Sequence, residues 1–252
     1  MRDFEESTLW RISAFERERR ETGSSGFASL GRSTVLPTTL LAELRRIEDW
    51  SAGESDVLEV MAASLRHREA LLMLLRYEEL VWPVTLFPLQ MLYHSPRDLA
   101  DATPAGLGSV TVLATEPPGV RPPGHWMHER VAQAAHYRPL LPLLWRMALD
   151  GPRHGLLADI GGTAAYRVVP SPHGERPPAP GALGPAIERL RRESCSLREI
   201  ASWPGMGVER ASRMLNALYL ASSLLTTRSH PAARPEPRPA GAPFRLRRPK
   251  GR

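Results

Sequence analysis

Apolar residues recur at helical spacing in two segments near the start of the chain. Residues 38–49, TTLLAELRRIED, and residues 54–66, ESDVLEVMAASLR, each alternate leucine, isoleucine, valine or methionine with charged residues. This period predicts two amphipathic helices. Residues 3–20 mix helix-forming residues with scattered apolar ones and predict a further helix. We expect that helix to dock on its own domain, and contact with a partner is the alternative.

The pattern changes to short apolar runs after residue 70. Acidic or proline residues separate the runs, which predicts a small antiparallel meander. Proline cannot donate to a strand ladder, so Pro83 predicts an edge strand or a bulge at its position. The runs are ALLMLLRY at 70–77, LVWPVTLFP at 80–88 and LQMLYHS at 89–95.

Three more elements follow before residue 170. GSVTVLATE at 108–116 and TAAYRVVP at 163–170 are typical of strands. PLLPLLWRMALD at 139–150 begins with a proline and precedes Gly151, which predicts an apolar core helix. Helices and antiparallel strands together predict an α+β body.

Residues 196–228 spell two helices around a turn, with a strand after them. Ser196 and Glu199 form an S-x-x-E capping box at the start of the first helix. Pro204, Gly205 and Gly207 interrupt the chain before a second helix that begins near Val208. A helix-turn-helix module is therefore predicted, and residues 185–194 supply the helix before it.

The second helix of this module offers candidate macromolecule-binding residues. Its apolar positions follow helical spacing, so the polar residues between them are expected to face outward. In helix-turn-helix proteins that read DNA, such residues enter the major groove, where arginine addresses guanine and asparagine addresses adenine. The candidates are Arg210, Ser212, Arg213 and Asn216.

Composition divides the chain into five parts. Residues 1–26 form the N-terminal helix and a flexible break, and residues 27–170 form the α+β body. Proline dominates residues 171–181, which predicts a linker. Residues 182–230 form the helical module. Residues 231–252 are expected to be a disordered basic tail, since proline, alanine, glycine and arginine cannot bury a core.

The net charge of +6 lies in the tail. Residues 229–252 contain seven basic residues against Glu236 alone. Flexible cations of this kind neutralise phosphates without reading sequence, so the tail is a candidate nucleic-acid contact or a solubilising end. The tail candidates are Arg245, Arg247, Arg248 and Lys250.

Single residues exclude several classes of chemistry. Lys250 is the only lysine, so a P-loop, a pyridoxal Schiff base or a kinase nucleotide lysine is not expected within the fold. Cys195 is the only cysteine, which excludes an internal disulfide and a thiolate-rich metal site. The chain has no apolar run long enough to cross a bilayer. These features predict a cytoplasmic protein without a cofactor and without a membrane partner.

Three local patterns resemble catalytic or metal sites. Residues 159–163, DIGGT, match the phosphate-binding turn of sugar kinases and actin-like ATPases, but a helix ending at paired glycines is the favoured interpretation. Histidines between His125 and His136 have the order H-x-x-H-E, which is not the zinc-binding H-E-x-x-H, and we expect no metal there. His94 is interpreted as structural. Cys195 lies beside a helix cap that could lower its pKa, although a semi-buried structural role is favoured.

Two resemblances to known families rest on these elements. SLREIASWPGMGVERASRMLNALYLASSLL at 196–225 resembles the helical part of bacterial winged-helix proteins, in which L-x-E-I/L-A, a turn and L-x-x-L-x-x-x-G-L-L follow in order. Ser223 stands where that pattern has glycine, which leaves open whether a wing follows Leu224. The order of two helices, a meander at 69–95 and a trailing helical module is similar to PATAN-type bacterial signalling proteins. That resemblance implies a non-enzymatic protein with roles in regulated protein contacts and surface behaviour.

Two functional hypotheses follow. The first is a non-catalytic adaptor that binds protein partners in a bacterial signalling or motility pathway, because the body carries no net positive charge and Glu209 opposes phosphate at the second helix. The alternative is a DNA-binding regulator that uses the helix at 208–222 and the basic tail. A small enzyme built around Asp159 or the histidines is a third class. The sequence specifies neither the partner nor the oligomeric state.

Overall fold

The structure is a computed structural model that describes residues 9–22, 35–50, 56–98, 101–125, 133–174 and 177–233, and these contain both helices and antiparallel strands. The α+β class predicted from the sequence is confirmed. The helices are α1 (Ile12–Thr22), α2 (Thr38–Trp50), α3 (Val57–His67), α4 (Pro104–Gly108), α5 (Leu140–Asp150), α6 (Leu183–Arg192), α7 (Leu197–Ala201) and α8 (Val208–Leu220). The strands are β1 (Trp10–Arg11), β2 (Leu71–Tyr77), β3 (Leu80–Phe87), β4 (Leu92–His94), β5 (Thr111–Glu116), β6 (Tyr137–Pro139), β7 (Ala165–Val168), β8 (Cys195–Ser196) and β9 (Leu224–Thr227).

The first sheet contains the predicted meander. Its strand order is β5-β2-β3-β4-β6, and β1 also pairs with β3. β2 and β3 form a hairpin whose pairs run from Leu71↔Leu86 to Tyr77↔Leu80. β5 starts later than expected, because the residues before it form α4, where Gly106 N donates to Thr103 Oγ1 over 3.0 Å.

Pro83 lies in an internal strand and not in an edge strand. β3 pairs with β2 from Leu80 to Leu86. On its other side, β3 pairs with β1 at Leu80 and Val81 and with β4 from Thr85 onward. Pro83 falls between these two partners, where a missing N–H removes no ladder hydrogen bond. β3 therefore has the character of an edge strand only around Pro83, where it has no second partner among the described strands.

The two faces of the first sheet are covered by different helices. Side chains alternate along β2, so Met73 and Leu75 join the main core with α2, α3 and α5. Leu72 and Leu74 face the other way and pack with the buried Phe15 of α1. The N-terminal helix thus docks on its own domain, although it begins at Ile12 after β1 and its first predicted residues lie outside the described part.

A second sheet joins the body to the helical module. β7 is its middle strand, in the order β8-β7-β9. Tyr166 of β7 pairs with Cys195 of β8 and with Thr226 of β9. The boundary predicted at 171–181 therefore does not separate two structural units, because a strand assigned to the body completes the sheet of the module. One continuous core also extends from α2 and β2 to α8.

Gly106 of α4 is expected to be required for the packing of Tyr77. A Cβ at Gly106 would lie 2.6 Å from Tyr77 Oη, and the Tyr77 ring is buried against Trp82 with a centroid distance of 5.7 Å. We expect Gly106→Ala to reduce the free energy of unfolding by about 1–3 kcal/mol through overpacking. Urea denaturation followed by circular dichroism measures this change.

Gly108 supplies a matched control in the same helix. A Cβ there would lie 3.7 Å from Asp150 O, which is an ordinary contact. Gly108→Ala should leave stability unchanged or raise it slightly, since alanine has the higher helix propensity. Equal effects of the two substitutions would contradict the proposed clash.

Candidate interaction site

The helix-turn-helix has the local geometry expected from its sequence. Ser196 Oγ accepts a hydrogen bond from Glu199 N at 3.3 Å, and Ser196 N donates to Glu199 Oε2 at 2.6 Å, so the capping box is complete. Gly205 adopts φ +72° in the turn, a conformation that favours glycine. α8 then begins at Val208, and β9 follows it as expected.

The face of α8 expected to read DNA is buried. Ser212 is 1% exposed and Asn216 is fully buried. Asn216 Nδ2 donates to Gly155 O and its Oδ1 accepts from Leu157 N, both at 2.9 Å. The outward orientation predicted for Ser212 and Asn216 is therefore wrong. The physical reason is that α5 and the loop after it cover this face.

Arg213 also points toward the body. Its Nη1 donates to Leu149 O at 2.5 Å and to Gly151 O at 2.9 Å. These carbonyls lie at the C-terminal end of α5, where no intrahelical donor reaches them, so Arg213 acts as a helix cap. Arg213 Nε also donates a hydrogen bond to the Glu209 carboxylate at 3.0 Å, and this ion pair neutralises part of the Arg213 charge.

Arg210 is the one member of the predicted set on α8 that is exposed. It donates to Gly205 O of the turn over 2.7 Å. The tail candidates Arg245, Arg247, Arg248 and Lys250 lie outside the described residues. Macromolecule binding by Arg210 and by the tail stays a prediction.

The loop between α5 and β7 is held from a second side by α3. Arg153 Nη1 donates to Asp56 at 2.6 Å and its Nη2 lies 3.0 Å from Glu59. Glu59 is 8% exposed and also accepts a hydrogen bond from Ala158 N at 2.8 Å. Asp56 is the N-cap of α3, and Glu59 lies in its first turn. Because Asn216 of α8 binds the same loop, the loop connects α3 to α8.

We expect Asn216→Ala to destabilise the protein strongly. The substitution leaves the buried N–H of Leu157 without a partner and removes one of the two donors to Gly155 O, the other being Arg153 Nε, which should cost about 1–3 kcal/mol in free energy of unfolding. Urea unfolding curves provide the measurement.

Arg210→Ala is the control for that change because Arg210 lies on the exposed first turn of the same helix. Its effect should stay within about 0.5 kcal/mol. A stability loss for Asn216→Ala no larger than the control's would contradict the burial of this polar face.

Asp159 of the DIGGT segment is part of a charged cluster and lies in a turn, not in the last turn of a helix. Residues 157–161 form a turn, in which Ile160 N donates to Leu157 O over 3.2 Å, so the expected helix ending at paired glycines is wrong. The Asp159 carboxylate accepts hydrogen bonds from Arg66 of α3 and from Tyr219 Oη of α8, the latter at 2.9 Å. These bonds join α3 to α8 at the protein surface.

Glu43 of α2 extends the same cluster. It pairs with Arg66, and His67 Nε2 lies 2.6 Å from its Oε2. Burial raises the pKa of Glu43, but hydrogen bonds from His67 and Arg66 outweigh burial, and the net pKa is lowered. Burial raises the pKa of Tyr219. Glu43 thus stays ionised, and Arg66 forms ion pairs with both Glu43 and Asp159.

A cleft opens beside this cluster, between α3, the β3–β4 turn and the C-terminal end of α8. We call it the α3–α8 cleft; its volume is about 560 Å³. The described residues that line it include basic and apolar side chains but no aspartate or glutamate. The lining includes Arg66, Arg68, Leu89, Met91, His173, Tyr219, Ser222 and Leu224.

The backbone of this cleft has an unusual feature. Arg68, Met91 and Ser222, all of which line it, adopt positive φ angles of 56°, 50° and 53°. Left-handed backbone in residues other than glycine is sterically costly and is concentrated at functional sites. Neither the cleft nor these residues were expected from the sequence, since they come from three distant segments and no local pattern marks them.

The histidines and the cysteine are the residues that the sequence offers as metal-binding or reactive groups. Among the described residues, no group of three or more histidine, cysteine, aspartate or glutamate side chains could hold a metal ion; His128 and Glu129 lie outside that part. Burial, followed by Glu193 and Glu199, raises the pKa of Cys195 to about 11. The lowered pKa considered from its position beside a helix cap is therefore wrong.

His94 should make stability depend on pH. Burial, with contributions from His136 and Arg138, lowers the pKa of His94 from 6.5 to about 4. As the pH falls from 6.5 to 4, the unfolded chain binds a proton that the folded chain does not, so the free energy of unfolding decreases. The loss should be about 2–3 kcal/mol after a discount for residual exposure.

Urea titrations at pH 7, 5.5 and 4.5 measure this dependence. His94→Phe keeps a ring against Tyr137, whose centroid lies 4.9 Å from that of His94, and removes the titrating group. The variant should lose less stability than the native chain over this pH range. Equal losses in the two proteins would exclude His94 as the source.

Comparison of the chain with family models, with curated proteins and with solved structures finds no match. The winged-helix and PATAN resemblances therefore stay predictions. In the described residues, no helix combines the length and hydropathy needed to cross a membrane.

Proposed function

We propose that this chain is a non-catalytic adaptor that binds protein partners in a bacterial signalling or motility pathway. The observation that carries the proposal is the burial of the polar face of α8. Asn216 and Arg213 hydrogen-bond to the backbone of α5 and its following loop, so they are not available to base edges. A helix-turn-helix whose second helix belongs to the core favours a scaffold for protein contacts over a reader of DNA.

The charges on the outer helices of the module support the same proposal. Arg189 pairs with Glu193, and its guanidinium lies 4.5 Å from the centroid of the Trp203 ring. Arg191 lies 3.4 Å from Glu188. These neighbouring carboxylates weaken the attraction of α6 for phosphate, whereas DNA-binding faces concentrate unopposed cations.

Exposed apolar side chains offer surfaces for a protein partner. Leu89 at the α3–α8 cleft is 68% exposed, and Leu225 on the outer face of β9 is 50% exposed. Leu224, the neighbour of Leu225 in β9, lines the cleft, and the Leu225 side chain lies on the opposite face of the strand. Exposed apolar residues beside a cleft are typical of interaction sites.

A photo-crosslinking amino acid at position 225 should capture specific proteins from a lysate of the organism that encodes the chain. The same amino acid at Arg17, an exposed residue of α1 on the opposite face of the first sheet, is the control. Mass spectrometry should identify proteins that crosslink at position 225 and not at position 17. Identical sets from both positions would count against this surface.

Gel-shift titration at several salt concentrations tests the alternative, a DNA-binding regulator. The adaptor hypothesis expects at most salt-sensitive, sequence-independent binding that disappears when residues 234–252 are removed. Sequence-specific binding that survives this truncation and weakens with Arg210→Ala would instead support the regulator.

A further inference from the structure

β9 has one paired edge and one open edge among the described residues. Val169 N donates to Ser223 O at 2.9 Å, which makes Ser223 and Val169 a hydrogen-bonded pair. Such pairs alternate along antiparallel strands. Leu225 and Thr227 therefore turn their backbone groups toward β7, and those of Leu224 and Thr226 point away from it.

The open edge contains hydrogen-bonding groups that have no partner in the described part of the chain. β9 pairs with β7 and with no other described strand. The Thr226 side-chain hydroxyl lies on a face of the sheet, where it is buried without a hydrogen-bond partner in the described residues. Unpaired edges are templates for an added strand, and proteins that recognise extended peptides use them in this way.

The charged and apolar side chains beside this edge indicate which kind of peptide strand would bind there. Leu224 belongs both to the open edge and to the α3–α8 cleft, so side chains of an added strand could enter the cleft. The charge of Arg66 is largely neutralised by its ion pairs with Glu43 and Asp159. Arg68 and His173 lie at the exposed rim, and the described residues that line the cleft include no aspartate or glutamate to pair with them. An acidic side chain with apolar neighbours complements this lining.

We propose that the open edge of β9 binds an extended acidic segment of a partner protein, which adds a strand to the second sheet and places acidic and apolar side chains in the α3–α8 cleft. This inference rests on the proposed adaptor function and specifies its partner. The basic tail of the chain does not complement this site, because Arg68 would repel the tail's seven basic residues.

Selection from a display library of random dodecapeptides on the full-length protein tests the proposal. Enriched sequences should alternate apolar residues with aspartate or glutamate. Arg68→Glu used as bait should lose these sequences. Enrichment of basic peptides, or no enrichment, would overturn the proposal. Partners crosslinked at position 225 would still support the adaptor function in that case.

Two substitutions at Thr226 separate strand addition from other modes of binding. Thr226→Pro removes the N–H that points to the open edge, and proline is tolerated in an edge strand at such a position. Thr226→Val keeps this N–H and removes the unpartnered hydroxyl. Fluorescence anisotropy with the best selected peptide should show at least tenfold weaker binding for Thr226→Pro and near-native binding for Thr226→Val.

Amide hydrogen exchange gives a readout that does not depend on the peptide sequence. Binding should protect the amides of Leu224 and Thr226, while Leu225 and Thr227 should change little because they already pair with β7. Unchanged binding to Thr226→Pro would overturn strand addition. Dimerisation of the protein alone, detected by light scattering and abolished by Thr226→Pro, would also overturn it, since a second copy would then occupy the edge.

Discussion

The hydrogen bonds from α8 to the end of α5 and its following loop hold this fold together. Asn216 binds the loop at Gly155 and Leu157, and Arg213 caps α5. From the opposite direction, Glu59 of α3 binds the same loop through Ala158 N. The first sheet with its helices and the second sheet with its helices are thereby connected by partly buried polar contacts in addition to the shared hydrophobic core. Because buried polar groups are costly when unpaired, each member of these contacts depends on the others.

Elements defined by local patterns could be predicted from the sequence. The period of apolar residues located α2, α3 and α5, and the S-x-x-E spacing located the start of α7 at Ser196. The short runs between acidic residues predicted the hairpin of β2 and β3. Each of these signals lies within a few residues, and tertiary contacts did not override it.

Long-range contacts could not be predicted in the same way. Serine, arginine and asparagine on one side of α8 give the same sequence pattern whether they face water or backbone carbonyls of another segment. Nothing in residues 163–170 shows that β7 pairs with strands that begin near residues 195 and 224. The α3–α8 cleft depends on such contacts, so residues such as Arg68 and Tyr219 carried no signal of their role.

The position of β7 also explains why β9 has an open edge in the described part of the chain. In the expected winged helix, a hairpin after the second helix would pair β9 with a following strand. Here the middle strand comes from the segment before the helices, and residues 231–233 after β9 form a short 3-10 turn. β9 is short, and its residues, Leu-Leu-Thr-Thr, include neither the charges nor the proline that commonly protect edge strands. The short length of β9 limits unwanted association with other strands. Its backbone N–H and C=O groups at the open edge, together with the basic cleft beside them, could pair with the backbone and the carboxylates of an acidic strand from another protein.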